Sequence, residues 1–282
     1  MANHIAGPLY WEQLGKQGVP IAFIHPNPMD CSCWLYQMAH LSTWFRTIGV
    51  DLPGYGRSPK ADPEVTASDL AQACWEAVDE VTHDSAIVVG LSVGACVAAY
   101  MAQQAPERTL ALVLTGTRYR RPSQGSAGRR IARYREEGIA HRYEHTIEDF
   151  RPAFRETDLA HYFAGIFRDR DPWLDLESIL AVQSVPADPE PDWLFDGIQA
   201  PTLVICGSED PNVASCQELT TKIRDCEVAT IEGAGHACNM ERPWEWDAVF
   251  LDFVRRHGLV DAHLSTTTDG AAEARPEGVG AR

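Results

Sequence analysis

The sequence predicts an α/β fold, a mostly parallel sheet covered by helices on both faces, and three observations carry that reading. Short runs rich in Val, Ile and Leu recur along the chain without the alternation of a half-exposed strand. Segments with apolar residues at helical spacing separate them. A Gly-x-Ser-x-Gly pentapeptide, Gly90-Leu91-Ser92-Val93-Gly94, stands where one apolar run ends and a helical pattern begins.

Taken in order, the strands are expected at 21–24, 47–50, 86–89, 110–114, 202–206 and 228–231, each a buried apolar run. Between them, residues 68–81 place Leu70, Ala73, Cys74, Ala77 and Val81 on one helical face, and residues 93–104 form a helix of small residues after the pentapeptide. This alternation calls for right-handed crossovers between parallel strands. Residues 118–195 break the rhythm. They hold no buried-strand run, show helical patterns at 129–137, 157–167 and 174–183, and end in the Pro-rich Val185-Pro186-Ala187-Asp188-Pro189-Glu190-Pro191, so they read as a helical insertion. The insertion carries 12 Arg, no Lys and 14 acidic residues, which is the composition of surface helices laced with ion pairs. Beyond residue 260 the chain is dominated by Thr, Gly, Ala, Glu and Arg, and 261–282 is expected to be a disordered tail.

Bulk composition bounds the rest. A chain of 282 residues that is 45% hydrophobic suffices for one large core with an insertion, or for two domains. Lys and Arg number 24 against 40 Asp and Glu, a formal charge of −16 that repels nucleic-acid backbones and anionic membrane surfaces. The N-terminus has no basic, apolar leader and no segment approaches membrane-spanning length, so a cytoplasmic location is expected, with neither nucleic acid nor membrane as partner. Eight dispersed cysteines are expected to be reduced thiols, and Cys31-Ser32-Cys33, without a second pair or a His at ligand spacing, implies no metal.

The pentapeptide is the chemical focus. A Ser held on a tight strand-to-helix turn needs small residues two before and two after it, and Gly90 and Gly94 supply them. Its hydroxyl then sits at a helix N-terminus, where developing negative charge is favoured. A Ser hydroxyl attacks only with a general base that a third group orients, and after a nucleophile elbow the acid and then the His follow in the chain. Asp210 follows the 202–206 strand, with Glu209 as the alternative acid, and His236 follows the 228–231 strand. His25 also ends an apolar strand but precedes Ser92, which favours His236 as the base. An oxyanion hole needs one backbone N–H from the residue after the nucleophile, Val93, and one from the loop His25-Pro26-Asn27-Pro28, where only Asn27 among the last three residues has an N–H to give.

With Trp34 downstream of that loop, Asp51-Leu52-Pro53-Gly54-Tyr55-Gly56-Arg57-Ser58, Gly207-Ser208-Glu209-Asp210 and Gly235-His236, these motifs resemble the α/β-hydrolase superfamily from about residue 9 to residue 258, the insertion excepted. The resemblance implies an eight-stranded, mostly parallel core at 1–117 and 196–260 and a helical cap at 118–195. It also implies a Ser92, Asp210 and His236 triad, and a pocket between core and cap, with Trp34 and His25 as candidate lining residues. Trp173, Phe163, Phe167, Tyr162 and several arginines of the cap either face that pocket or pack. Pro26 stands where the family usually has Gly, so the loop differs in shape while keeping Asn27 as donor. The spacing to Trp34 is similar to that of haloalkane dehalogenases, but these and the epoxide hydrolases use Asp as nucleophile, and Ser92 argues against both. The resemblance is nearer to enol-lactone hydrolases and small esterases. The expected reaction is hydrolysis of a small-molecule carboxylic ester, lactone or amide through an acyl-enzyme, without cofactor or metal, and with haloperoxidase-like chemistry as a side reaction the same triad supports. The alternatives are a carbon–carbon bond hydrolase of a ring-fission diketone, disfavoured by the absent His-Gly-x-Gly pattern and by Ala237 after the His, and a non-catalytic ligand-binding protein of the same fold. Oligomeric state is left open, a homodimer among the alternatives.

Overall fold

In a computed structural model, which describes residues 4–117, 125–185 and 192–260, seven strands form one sheet in the order β1-β3-β2-β4-β5-β6-β7. They are β1 (Trp11–Leu14), β2 (Pro20–Ile24), β3 (Arg46–Val50), β4 (Ala86–Leu91), β5 (Thr109–Thr115), β6 (Thr202–Gly207) and β7 (Cys226–Ile231). Only β1 runs antiparallel, against β3; every other pairing is parallel. All six expected strands lie within β2 to β7. The eighth strand that the resemblance implies is not found among the described residues. Before Trp11 the chain leaves the sheet edge at Gly7 and Pro8, and Ile5 forms an isolated bridge with Ala61 instead.

The α-helices, in chain order, are α1 (Leu35–Leu41), α2 (Ala67–Asp79), α3 (Val93–Gln104), α4 (Gly125–Glu137), α5 (His141–Glu148), α6 (Pro152–Arg155), α7 (Asp158–Arg168), α8 (Leu176–Ser184), α9 (Asp192–Asp196), α10 (Val213–Glu218), α11 (Cys238–Glu241) and α12 (Pro243–Arg256). Alternate residues of each central strand enter different cores. Ala22, Ile24, Val88, Leu112 and Val204 pack with α2, α3 and α8, whereas Phe23, Ile87, Val89, Val113 and Ile205 pack with α1 and α12. A parallel sheet needs this double cover, which is why its strands read as unbroken apolar runs. The helices start where chemistry caps them: Thr66 and Asp69 form a reciprocal capping box at α2, and Asp175 accepts the N–H of Ser178 at α8.

Helices α4 to α9 occupy the chain between β5 and β6. One of their anchors is Ser178, whose buried hydroxyl donates to the Ala61 carbonyl and accepts the Ala61 N–H, each at 3.0 Å. No helix among the described residues is long and apolar enough to cross a membrane. The eight cysteines are free thiols, seven of them buried. The expected tail at 261–282 and most of the Pro-rich segment lie outside the described residues.

Candidate active site

Strand order reverses between β3-β2 and β2-β4, so β2 and β4 flank the switch point, where a crevice opens at the strands' C-terminal ends. Ser92 stands at that edge directly after β4, with φ 57° and ψ −115°; among the described residues it is the one non-glycine with positive φ. Such a conformation is costly unless its surroundings impose it. They do: a Cβ on Gly90 would stand 2.1 Å from the Gly94 carbonyl oxygen, and one on Gly94 would stand 2.3 Å from that of Ile24. The Ser92 N–H donates to the Thr115 carbonyl at 3.0 Å, pinning the turn to the end of β5.

His236 reaches the same corner. Its ring lies over Gly116, the residue after Thr115, so closely that a Cβ there would come within 2.9 Å of Nδ1 and Cε1. Nδ1 lies 2.9 Å from Asp210 Oδ2, and since a carboxylate accepts, Nδ1–H donates and Nε2 is left as the basic nitrogen. Asp210 is buried, and its other oxygen accepts the Asn212 N–H at 2.8 Å. Glu209, the alternative acid, instead lies 3.4 Å from Arg151 at the surface. The structure thus joins His236 to Asp210 and sets both at the sheet edge that carries Ser92.

The loop after β2 is shaped by the Asp51–Ser58 motif. The Leu52 N–H donates to His25 Nε2 at 2.8 Å, His25 Nδ1 donates to the Pro26 carbonyl at 2.9 Å, and the Tyr55 hydroxyl donates to Asn27 Oδ1 at 2.5 Å. Asp51 in turn accepts the N–H groups of Cys31 and Arg57. Among the described residues, the N–H groups of Asn27 and Val93 have no hydrogen-bond acceptor, which is what an oxyanion hole requires of its donors.

The two candidate lining residues, His25 and Trp34, are fully buried: both ring nitrogens of His25 are engaged in the hydrogen bonds above, and Trp34 packs against Phe23 and Trp246 while its Nε1 has no partner among the described residues. Burial holds the His25 pKa below the ordinary imidazole value. Of the aromatic residues of the insertion, Phe167 is buried and Phe163 packs against the same core near Phe150, while Trp173 and Tyr162 are exposed.

Several site residues carry no motif in sequence. Arg142 on α5 is fully buried, and its guanidinium donates to the carbonyls of Pro28 and Phe167 and pairs with Asp171 at 3.1 Å and Asp30 at 3.5 Å. It therefore ties the insertion to the loop that carries Asn27. Glu137, His141 and Glu144 bring potential metal-ligand atoms within 4.8 Å of one another. The Arg133 guanidinium lies 3.2 Å from Glu137 and 2.5 Å from Glu144, so these carboxylates are already neutralised as an ion-pair cluster.

The model of the alpha/beta hydrolase family matches residues 21–246. The chain is 26% identical over 259 residues to the dihydrolipoyllysine-residue acetyltransferase component of the acetoin cleaving system of Pseudomonas putida, covering 88% of this chain and 67% of that one. It is 33% identical over 105 residues to the pimeloyl-[acyl-carrier protein] methyl ester esterase of Vibrio campbellii, but this spans only 37% of this chain and 39% of the esterase. The crystal structure of the enol-lactonase from Burkholderia xenovorans LB400 superposes with a TM-score of 0.80 at 23% identity, covering 89% of this chain and 98% of the enzyme, a likeness of fold.

Proposed function

The chain belongs to the alpha/beta hydrolase family, and we propose that it is a serine hydrolase that cleaves a small-molecule carboxylic ester, lactone or amide through an acyl-enzyme. The observation that carries this reading is the strained Ser92 turn at the same sheet edge as the 2.9 Å His236–Asp210 pair. Ser92 Oγ attacks the substrate carbonyl while His236 Nε2 takes its proton, with Asp210 holding the ring tautomer and stabilising the imidazolium. The oxyanion is received by the N–H groups of Asn27 and Val93. His236 then hands the proton to the leaving oxygen or nitrogen, and water repeats the cycle on the acyl-Ser92 ester. The helices between β5 and β6 act as a cap over the pocket, where the substrate is enclosed.

The test is covalent labelling. A fluorophosphonate should modify Ser92 in the folded protein, and Ser92→Ala should lose both labelling and ester turnover, the latter by at least about 10⁴-fold. Labelling elsewhere, or turnover retained in Ser92→Ala, overturns the assignment.

A further inference from the structure

The proposed mechanism leaves two buried polar atoms beside His236 unused. His145 and Asp149 lie one turn apart on α5, with Asp149 still helical at φ −74° and ψ −16°, so their side chains share a helix face. His145 Nδ1 is 3.0 Å from the Tyr134 hydroxyl, and its Nε2 has no partner among the described residues. Asp149 Oδ2 is likewise buried and unpartnered. The pair is fastened next to the base, because the Asp149 carbonyl accepts the N–H of Ala237, the residue after His236, at 3.1 Å. Burial is the main cause of the lowered His145 pKa and of the raised Asp149 pKa; the charge of His236 adds to the first and opposes the second.

Buried polar atoms are almost always satisfied, and two unsatisfied ones on one face beside a reactive group leave a donor and an acceptor available to a ligand. With the Tyr134 phenol donating to His145 Nδ1, the imidazole proton sits on Nε2. The pair therefore offers one donor, His145 Nε2–H, and one acceptor, Asp149 Oδ2. A hydroxyl oxygen accepts one hydrogen bond and donates another from the same atom, and so matches both. A carboxylate meets the acid with like charge, and an ammonium has no lone pair for His145.

We propose that His145 and Asp149 form a substrate subsite for a hydroxyl group, so that the preferred substrate is a hydroxyl-bearing ester or lactone. The proposal rests on the serine-hydrolase reading above. The measurement is kcat/KM on matched pairs: p-nitrophenyl butyrate against its 2- and 3-hydroxy analogues, and ethyl butyrate against 2-hydroxyethyl butyrate, which sample the acyl and alcohol sides. At least one hydroxylated member should exceed its parent by 10-fold or more, on the order of one buried hydrogen-bonded group. In His145→Phe and Asp149→Ala that ratio should fall to about 1, whereas a purely structural role lowers both members equally and leaves the ratio intact. Asp149→Asn, nearly the same shape, serves where a larger change prevents folding, and the wild-type ratio stands without any variant. Ratios near 1 throughout the wild-type panel, or ratios unchanged in the variants, overturn the subsite while fluorophosphonate labelling of Ser92 keeps the hydrolase reading. A protein that neither labels at Ser92 nor hydrolyses any member removes both.

Discussion

Asp149 shows at the scale of one residue what an inward-facing polar group costs. Burial raises its pKa from 3.8 to about 6, although the charge of His236 pulls the other way. The native state therefore binds this proton more tightly than the unfolded chain, and stability is lost as pH rises from about 4 to above 6. At about 1.4 kcal/mol per pKa unit, the full penalty is on the order of 3 kcal/mol above pH 7. Asp149→Asn removes the titration. In urea denaturation its stability relative to wild type should rise by about 1–1.5 kcal/mol between pH 5 and pH 7.5. A difference that stays flat across that range refutes the coupling. Residues of this kind were invisible in the sequence. The face of α5 that turns inward is built from His141, Arg142, His145 and Thr146, so it has no apolar period to detect. Ser92, Asp210 and His236, by contrast, each follow an apolar strand in the order the chemistry demands, and were legible as candidates from that order alone.

Elements decide whether those candidates meet. Gly116 follows β5 at φ +56° and gives the His236 ring its seat, since a Cβ there would come within 2.9 Å of two ring atoms. Gly116→Ala should therefore displace the base and lower kcat/KM by about 10²-fold or more, with only a moderate loss of stability. Steady-state kinetics beside a melting curve checks this, and unchanged kinetics would show that the ring has room to move. The strands that carry the site were readable because burial on both faces leaves unbroken apolar runs at β2, β4, β5 and β6. Trp11–Leu14 was not readable: it is an edge strand of four half-buried residues, and its pairing with β3 is a long-range fact. Position after a strand brings His25 to the sheet edge, but the Leu52 N–H that its Nε2 accepts, which no local pattern announces, decides which way the ring faces.

Across the whole molecule, the inserted helices are held to the core by more than apolar packing. Arginines in this segment read as surface ion pairs, and Arg133 with Glu137, Glu144 and Glu148 fits that reading. Arg142 does not, because its buried guanidinium joins the Pro28 carbonyl in the core to Phe167 and Asp171 in the insertion, with Asp30 as counter-ion. Burial pushes the Asp30 carboxyl up, and the charges of Arg142 and Arg170 outweigh it, so its pKa ends below the ordinary value. Replacing Arg142 by Met strands part of that buried charge and should destabilise the protein by about 3–5 kcal/mol. It also frees the loop that carries Asn27, so kcat/KM should fall. Combining Arg142→Met with Asp30→Asn removes the stranded charge and should regain at least about 1 kcal/mol, the non-additivity expected of contacting residues. Activity should not return with it, because the Pro28 carbonyl still lacks its donor. Denaturant unfolding and kcat/KM on the single and double variants therefore separate stability from positioning. A single variant within 1 kcal/mol of wild type and within threefold in kcat/KM would show that the insertion is held by packing alone.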